Sequence, residues 1–292
     1  MAAVVDIVDR PDLKFPAIHP GYPEGFNKDQ DIFDFISDKR YVLMHHPYQS
    51  FDPVISFVQQ AAFDKKVVAI KMTLYRTGSN SAIADALVAA ARAGKEVTAV
   101  IELRARFDEE ANIALAARLQ DAGAYVAYGV VGHKTHAKMT LIVRRQGRRL
   151  KRFVHLGTGN YHAGTAKAYT DYGMLSDDSA LGSDVHRLFL QLTGLGKSLN
   201  LKKIISAPFT LHSSMVAFIQ REAEHAKAGR KALIRAKMNS LIEPQIIEEL
   251  YKASQAGVKI ELIIRGVCGI RPGIKGVSEN IRVRSVMGRF LE

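Results

Sequence analysis

The stretch KMTLYRTGSNSAIADALVAAARAGKEVTAVIEL (Lys71–Leu103) decides the fold of this chain. It begins inside a short apolar run, Val67–Tyr75, of the kind that forms a buried strand. An alanine-rich helix is predicted over Ser81–Ala93 and ends at Gly94, and a second strand is predicted over Glu96–Leu103. A strand, a helix and a strand in this order predict two parallel strands with the helix on one face of their sheet.

The segments downstream extend this pattern. A helix is predicted over about Glu109–Ala122, and a strand follows over 124–131. Two more strands are predicted over Ala137–Arg145 and Arg152–Thr158, on either side of a turn at Gln146-Gly147. The chain is therefore predicted to have an α/β fold, with a mixed sheet flanked by helices.

A second copy of the pattern occurs later in the chain. The stretch KMNSLIEPQIIEELYKASQAGVKIELII (Lys237–Ile264) shares with the first a Lys-Met pair at its start and Ala-Gly at its helix end. We therefore predict two related α/β units with a boundary near Ser198–Pro208. The first copy continues to a histidine segment, Val130–Lys138, whereas the second reaches Glu292 without one, so we expect the second unit to be truncated.

These features divide the chain into three predicted parts. Residues 1–22, interrupted by proline and glycine, are expected to be a linker or arm from an upstream domain. Residues 23–203 form the first predicted domain and residues 204–292 the second.

Composition excludes several classes of protein. Of 292 residues, 47% are hydrophobic and 24% charged, which is typical of globular proteins and excludes wholesale disorder. A single cysteine, Cys268, excludes an internal disulfide framework and a multi-cysteine zinc site. No apolar run approaches the ~18–20 residues that a membrane span requires.

The charge balance points to the chemistry of a partner. Lys and Arg number 41 and Asp and Glu 29, so the formal net charge is +12. Such a charge favours polyanions, which include nucleic acid, nucleotides, polyphosphate and an anionic membrane surface. A charged, solvated surface with no partner remains the alternative from composition alone.

One polar segment stands out as a candidate site. His136 and Lys138 lie at the start of a predicted strand, where alternate residues face the same side. An imidazole is a competent nucleophile toward phosphorus, and a neighbouring ammonium neutralises phosphate charge during transfer. After the next strand, Asn160 offers an amide, and Gly157 and Gly159 permit close approach of the backbone.

A histidine, a lysine two residues later and a downstream Gly-Thr-Gly-Asn resemble the phospholipase D superfamily. The lipases and nucleases of that superfamily carry an Asp five residues after the lysine, where this chain has Val143. The chain more closely resembles a branch without that Asp, the ATP-dependent polyphosphate kinases. The motifs that carry this second resemblance are HHPYQSF (His45–Phe51), AIKMTLYR (Ala69–Arg76), ARFDEEANI (Ala105–Ile113), THAK (Thr135–Lys138), HLGTGNY (His155–Tyr161), YTDY (Tyr169–Tyr172) and IIRGVCGIRPG (Ile263–Gly273).

The resemblance implies roles for individual residues. It makes His136 the nucleophile that becomes phosphorylated, and places Tyr169 and Arg265 at positions associated with ATP. Arg76 and Arg106 fall on positions associated with Mg²⁺ and phosphate. Because a guanidinium has no lone pair for a metal, we expect both arginines to bind phosphate oxygens beside the ion.

The resemblance also implies a reaction and its partners. The reaction is reversible transfer of the ATP γ-phosphoryl group to the end of inorganic polyphosphate, through a phosphohistidine and with Mg²⁺. The implied fold is a duplicated phospholipase D-like α/β fold. The full-length protein is expected to be a homo-oligomer, located in the cytoplasm or peripheral at a membrane, with no nucleic acid partner.

Basic side chains could line a polyphosphate tunnel and account for the positive charge. The candidates are Lys71, Lys138, Arg144, Arg145, Arg148, Arg149, Lys151 and Arg152. For the run from Arg144 to Arg152, a solvated hairpin is the favoured interpretation, because a charged turn needs no ligand.

Two rival functions remain open from the sequence. The first is a phospholipase D-type phosphodiesterase or nuclease, against which Val143 argues. The second is an inactive polyanion-binding fragment, because a truncated second unit would lack part of the site. For His45-His46 and His155 we favour structural roles over metal binding or catalysis.

Overall fold

The structure, a computed structural model, describes residues 7–8, 10–75, 81–102, 109–130, 132–194 and 200–292. The chain divides into two compact units. The first comprises Met1–Lys203 with Arg289–Leu291, and the second Ile204–Gly288 with Glu292. Each unit has a hydrophobic core of its own.

The first unit is built on a seven-stranded mixed sheet. Its helices and strands along the chain are α1 (Ile32–Lys39), β1 (Tyr41–His46), α2 (Asp52–Phe63), β2 (Val67–Leu74), α3 (Ala82–Arg92), β3 (Glu96–Ile101), α4 (Glu109–Asp121), β4 (Tyr125–Ala127), β5 (Lys138–Gln146), β6 (Arg149–Gly157), β7 (Asp171–Ser176) and α5 (Ser179–Leu192). The strand order is β1-β7-β6-β5-β2-β3-β4. Strands β2, β3 and β4 pair in parallel, and every other pairing in the sheet is antiparallel.

The core of this unit lies between one face of the sheet and helices α1, α2, α3 and α4. Ile70, Ile142, Phe153 and Leu175 project from neighbouring strands into this core and are buried. Burying each such side chain contributes about 1.5–3 kcal/mol. Arg152 faces the opposite side from its neighbour Phe153, and it lies against Gly182 of α5. Helices therefore cover both faces.

Glycines end the helices where the sequence predicts. Gly94 follows α3 with a positive φ of 79°, and the N–H of Lys95 donates to the carbonyl of Ala90. This pattern is a Schellman motif, which needs a left-handed residue and therefore favours glycine. It returns the chain to the sheet at β3.

The second unit repeats the strand–helix–strand pattern. Its elements are α6 (Leu211–Lys227), β8 (Leu233–Met238), α7 (Pro244–Gln255), β9 (Lys259–Ile264) and β10 (Ile281–Arg284). The three strands are parallel in the order β10-β9-β8. Helix α7 ends as α3 does, with Gly257 at a φ of 95° and the N–H of Val258 bonded to the carbonyl of Ala253. The predicted α/β fold, with a mixed sheet flanked by helices, is confirmed.

Some elements differ from the sequence-based expectation. Strands β1 and β7, which pair with each other at one side of the sheet, are not predicted from the sequence pattern. Strand β1 exposes Tyr41 and Leu43 while it buries Val42 and Met44, so its apolar residues do not reveal which face is inside. The strand predicted over 124–131 is shorter, because only Tyr125–Ala127 pairs with β3. No helix in the described part of the chain is long and apolar enough to cross a membrane.

Candidate active site

The candidate residues gather at one end of the first unit's sheet. Strand pairing places Lys138 opposite Gly157, Gly157 opposite Gly173, and His46 opposite Asp171. The carboxyl ends of β2 and β3 lie at the same end, because β2 runs parallel to β3 and antiparallel to β5. In α/β sheets, this end of the parallel strands is where ligands commonly bind.

Tyr75, which follows β2, contacts three basic side chains of the site. The rings of His136 and Tyr75 lie in an edge-to-face arrangement with a centroid distance of 5.2 Å. The ammonium groups of Lys138 and Lys134 lie 4.9 Å and 5.5 Å from the centre of that ring. Cations are attracted to the face of an aromatic ring, so Tyr75 holds positive charge beside His136.

His136 is exposed, whereas Lys138 is buried. The Nζ atom of Lys138 donates a hydrogen bond of 2.7 Å to the carbonyl oxygen of His136. Strand β5 starts at Lys138, one residue later than predicted, so His136 lies just before the strand. The structure thus brings His136 and Lys138 together. The His136 side chain is accessible, and the Lys138 ammonium is held by its hydrogen bond to the His136 carbonyl.

Side chains from two neighbouring strands fix the backbone around His136. Thr73 Oγ1 donates to the carbonyl of Ala137 at 2.7 Å and accepts from the N–H of Met139 at 3.0 Å. Glu102 Oε2 accepts from the N–H of Thr135 at 2.8 Å. Asn112 of α4 in turn donates to the carbonyl of Glu102 at 3.0 Å. Both Thr73 and Glu102 are buried, so these bonds are shielded from water.

The loop after β6 brings Asn160 to the same end of the sheet. Asn160 and Asp171 line one small cavity in this region. Thr158 Oγ1 donates to Asp171 Oδ1 at 2.7 Å, which ties the loop to the start of β7. A Cβ atom at Gly159 would collide with the Asp171 carboxylate, so the predicted close approach of the backbone is to this side chain.

Two histidines are buried beneath this loop. His155 bonds through Nδ1 to the Tyr161 hydroxyl at 2.8 Å, and His46 through Nδ1 to the carbonyl of Gln49 at 2.8 Å. Burial lowers the pKa of His155 to about 3, and nearby His46 lowers it further. Burial also lowers the pKa of His46, although its hydrogen bond to Gln49 opposes this shift. Both rings are therefore neutral near pH 7.

The remaining predicted site residues lie elsewhere or outside the described residues. Lys71 Nζ forms an ion pair of 2.6 Å with Glu96, at the opposite end of β3 from Glu102. Arg76 and Arg106 lie outside the residues that the structure describes. The structure therefore does not bring Lys71 to the cluster around Tyr75.

Tyr169 belongs to the first unit and is 37% exposed. The N–H of the next residue, Thr170, donates to the carbonyl of Leu291 at 3.0 Å, and Leu291 donates to Ala168 at 2.9 Å. Arg265 belongs to the second unit, where it follows β9 and donates from Nε to Asn239 Oδ1 at 2.9 Å. Within its own unit, Arg265 is exposed.

The basic hairpin between β5 and β6 lies at the other end of the sheet from His136. Arg144 there pairs with Asp64 at 2.6 Å and with Asp31 at 3.4 Å. Lys151 pairs with Asp177 at 2.6 Å. Acidic side chains of the protein itself therefore already neutralise part of this run.

Sequence reasoning missed Thr73, Tyr75 and Glu102 as members of the site. Each lies at the carboxyl end of a strand that was predicted correctly, β2 or β3. Their positions at the ends of these strands could have predicted them, because polar groups at the carboxyl edge of a parallel sheet lie in the same region. Which of them meet His136 depends on strand register, which the sequence does not display.

The site does not resemble a protein-held metal centre. Within the described ranges, no three His, Cys, Asp or Glu side chains lie together in a way that could hold a metal ion. Mg²⁺ in phosphoryl-transfer sites is commonly bound by one or two carboxylates together with substrate phosphates. Two carboxylates at this end of the sheet, Glu102 and Asp171, already accept hydrogen bonds from Thr135 and Thr158. The described residues therefore do not fit a preformed magnesium site.

Fold and site together define an α/β protein with a histidine–lysine cluster at the carboxyl end of the parallel strands of its sheet. Two family models match the chain. Polyphosphate kinase C-terminal domain 1 matches residues 31–198, and polyphosphate kinase C-terminal domain 2 matches residues 204–292. The chain belongs to the polyphosphate kinase family, and the resemblance drawn from its motifs is confirmed.

Individual relatives agree with this assignment. The polyphosphate kinase of Neisseria gonorrhoeae is 56% identical over 290 residues, and that of Pseudomonas aeruginosa is 58% identical over 290 residues. Each match covers 99% of this chain and 42% of the relative. A crystal structure of polyphosphate kinase from Porphyromonas gingivalis aligns with a TM-score of 0.86 at 34% identity, over 97% of this chain and 47% of that one. The chain thus spans less than half the length of these relatives.

Proposed function

We propose that this chain carries the phosphoryl-transfer site of a polyphosphate kinase. The reaction is reversible transfer of the γ-phosphoryl group of ATP to the end of an inorganic polyphosphate chain. His136 carries the phosphoryl group between the two substrates. The observation that supports this most directly is an exposed imidazole held beside a buried ammonium, on a backbone fixed by Thr73 and Glu102.

The transfer proceeds in two displacements. A nitrogen lone pair of neutral His136 attacks the γ-phosphorus, forming an N–P bond while the bond to the bridging oxygen breaks and ADP leaves. A terminal oxygen of polyphosphate then attacks the same phosphorus, and the N–P bond breaks to release the lengthened polymer and the neutral ring. Catalysis of this kind depends mainly on positioning and on stabilising charge.

The described residues supply both requirements. Lys138 and Lys134, both near the Tyr75 ring, would stabilise the negative charge of phosphate oxygens during the transfer. The hydrogen bonds of Thr73 and Glu102 restrict the backbone on both sides of His136, which preorganises the nucleophile. Asn160, on the loop after β6, would donate to a phosphate oxygen.

Further parts of the proposal come from the family and concern residues of both units. Arg76 and Arg106 would bind phosphate oxygens, and Tyr169 and Arg265 would contact ATP. Mg²⁺ would enter with the nucleotide, since the described residues form no preformed site for it. A cytoplasmic homo-oligomer is part of the same proposal.

The proposal is tested by labelling with ATP that carries radioactive phosphorus at its γ position, in the presence of Mg²⁺. We expect a protein label that is labile in acid and stable in alkali, as a phosphoramidate is. The label should disappear in His136→Ala and persist in His133→Ala, a matched control in the same exposed segment.

The outcomes separate the rival functions. Label retained in His136→Ala would contradict the proposed nucleophile. No label in the unmodified protein, together with hydrolysis of bis(p-nitrophenyl) phosphate, would favour a phosphodiesterase. Salt-dependent polyphosphate binding with neither activity would favour a polyanion-binding fragment.

A further inference from the structure

The cavity beneath the loop after β6 contains two unsatisfied histidine nitrogens. Its volume is about 10 Å³, and it is lined in part by His46, His155 and Gly173. The Nε2 atoms of both histidines are buried and have no hydrogen-bond partner within the described ranges of the chain. A Cβ atom on Gly173 would lie 2.9 Å from Nε2 of His155 and 3.2 Å from Nε2 of His46, so both nitrogens point at the same small space.

The other nitrogen of each ring determines what Nε2 can do. His46 Nδ1 contacts the Gln49 carbonyl, which can only accept, so Nδ1 of the neutral ring carries the proton and Nε2 is an acceptor. His155 Nδ1 contacts the Tyr161 hydroxyl, which in turn accepts from Thr140 Oγ1 at 2.9 Å. The Tyr161 proton is therefore directed to His155 Nδ1, which leaves Nε2–H as a donor.

The hydrogen bonds among Thr140, Tyr161 and His155 could in principle run in the opposite direction, but that arrangement is less favourable. If His155 donated through Nδ1 and Tyr161 donated to Thr140, the hydroxyl proton of Thr140 would lack an acceptor. Thr140 is completely buried, and among the residues that the structure describes its hydroxyl bonds only to Tyr161. Leaving such a donor unpaired is costly, so the arrangement with every donor paired is preferred.

We propose that the cavity binds one water molecule, which accepts from His155 Nε2–H and donates to His46 Nε2. The volume is at the lower limit for one water, and the two nitrogens supply the polar partners that a buried water requires. The water completes a one-way chain of hydrogen bonds from Thr140 through Tyr161, His155 and His46 to the Gln49 carbonyl.

This chain connects strands that neighbour the candidate site. Thr140 lies on β5, His155 on β6 and His46 at the end of β1, whereas β7 contributes Gly173, whose missing side chain leaves room for the water. Gly157, Gly159 and Asn160 line the same cavity. The water therefore supports the loop that carries Asn160 from below.

The tautomers and the water are both measurable by NMR on the ¹⁵N-histidine-labelled protein. We expect the Nδ1–H tautomer for His46, the Nε2–H tautomer for His155, and a magnetisation-transfer cross-peak between His155 Nε2–H and a long-lived water. The same tautomer for both rings, or no such cross-peak, would overturn the proposal.

Two variants test the chain of hydrogen bonds at different points, one at the water and one at Tyr161. Gly173→Ala fills the cavity, so the water cross-peak should vanish; a cross-peak that persists would place the water elsewhere. Tyr161→Phe removes the donor to His155 Nδ1, so the His155 population should shift away from pure Nε2–H, with the exposed Tyr125→Phe as its control. An unchanged His155 tautomer in folded Tyr161→Phe would also contradict the proposed chain.

Discussion

Glu102 Oε2 accepts a hydrogen bond of 2.8 Å from the backbone N–H of Thr135, the residue immediately before His136. This bond joins the carboxyl end of β3 to a segment of the chain more than thirty residues away, and it lies in a buried environment. Thr73 binds the backbone of Ala137 on the other side of His136. Together, Thr73 and Glu102 attach the backbone around His136 to the ends of strands β2 and β3.

Replacing Glu102 should reveal how much the site depends on this contact. In Glu102→Ala the N–H of Thr135 loses its buried acceptor, which should lower the free energy of unfolding by about 1–3 kcal/mol. Glu102→Gln keeps a side-chain oxygen that can accept and should lose less. Urea unfolding of the two variants checks the difference, and equal losses would mean that the contact with Thr135 is not what stabilises this region.

Thr73 offers a sharper test, because valine has nearly the same shape without the hydroxyl. Thr73→Val removes the bonds to Ala137 and Met139, so His136 labelling by ATP should slow by about tenfold to a hundredfold. Thr73→Ser keeps the hydroxyl and should restore most of the rate.

A small donor, phosphoramidate, phosphorylates accessible histidines without nucleotide and serves as an independent readout. If Thr73 positions His136 for ATP, Thr73→Val should change phosphoramidate labelling much less than ATP labelling. Equal slowing with both donors would assign Thr73 a general structural role.

Gly159 should not tolerate a side chain. In Gly159→Ala the new Cβ would collide with the Asp171 carboxylate, and relieving that overlap should cost about 1–3 kcal/mol and displace the loop that carries Asn160. Gly21→Ala is a suitable control, because nothing lies within 4 Å of a Cβ built there. Thermal unfolding of both variants checks this, and similar melting temperatures would contradict it.

Buried His155 should make the protein less stable in acid. Its pKa is about 3 in the folded state against 6.5 for an ordinary histidine, so between these values only the unfolded chain takes up the proton. Stability is complete above about pH 7 and should fall by roughly 1 kcal/mol per pH unit below 6.5. His46, whose pKa is also lowered, acts in the same direction, while the nearby Asp171 charge opposes the shift of His46.

Denaturant unfolding between pH 5 and pH 8 measures this slope. His155→Gln removes the titrating group, so its stability should depend less on pH than that of the unmodified protein. His133→Gln, on the surface, controls for the loss of a histidine. Parallel pH profiles for the unmodified protein and His155→Gln would show that His155 does not couple to folding.

The sequence predicts the central part of the fold well, for physical reasons that can be named. The strand ending at Leu74 and the strand starting at Glu96 are both apolar runs. The helix between them is followed by Gly94, whose left-handed backbone conformation favours glycine, so this glycine marks the end of the helix. The same pattern recurs at Lys237–Ile264, and it predicts the second strand–helix–strand unit. Strands β1 and β7 carry no such signals, since their exposed faces are also partly apolar.

The candidate site was predictable in part. His136, Lys138 and Asn160 came from sequence motifs, and the structure brings all three to one end of the sheet. The partner of Lys71 was not predictable, because its ion pair with Glu96 depends on the register between β2 and β3. The same holds for the meeting of His46 and His155, which are far apart in sequence and belong to strands separated by β7.

The pairing of β1 with β7 has a consequence for the order in which the protein is made. His46 and Asp171 are partners in this pairing, yet about 125 residues separate them along the chain. At roughly 5–20 residues per second, a ribosome needs about 6–25 s to synthesise that interval. During that time β1 exists without the strand it pairs with, so among the described strands of the seven-stranded sheet the earliest, β1, joins only after the latest, β7, has been synthesised.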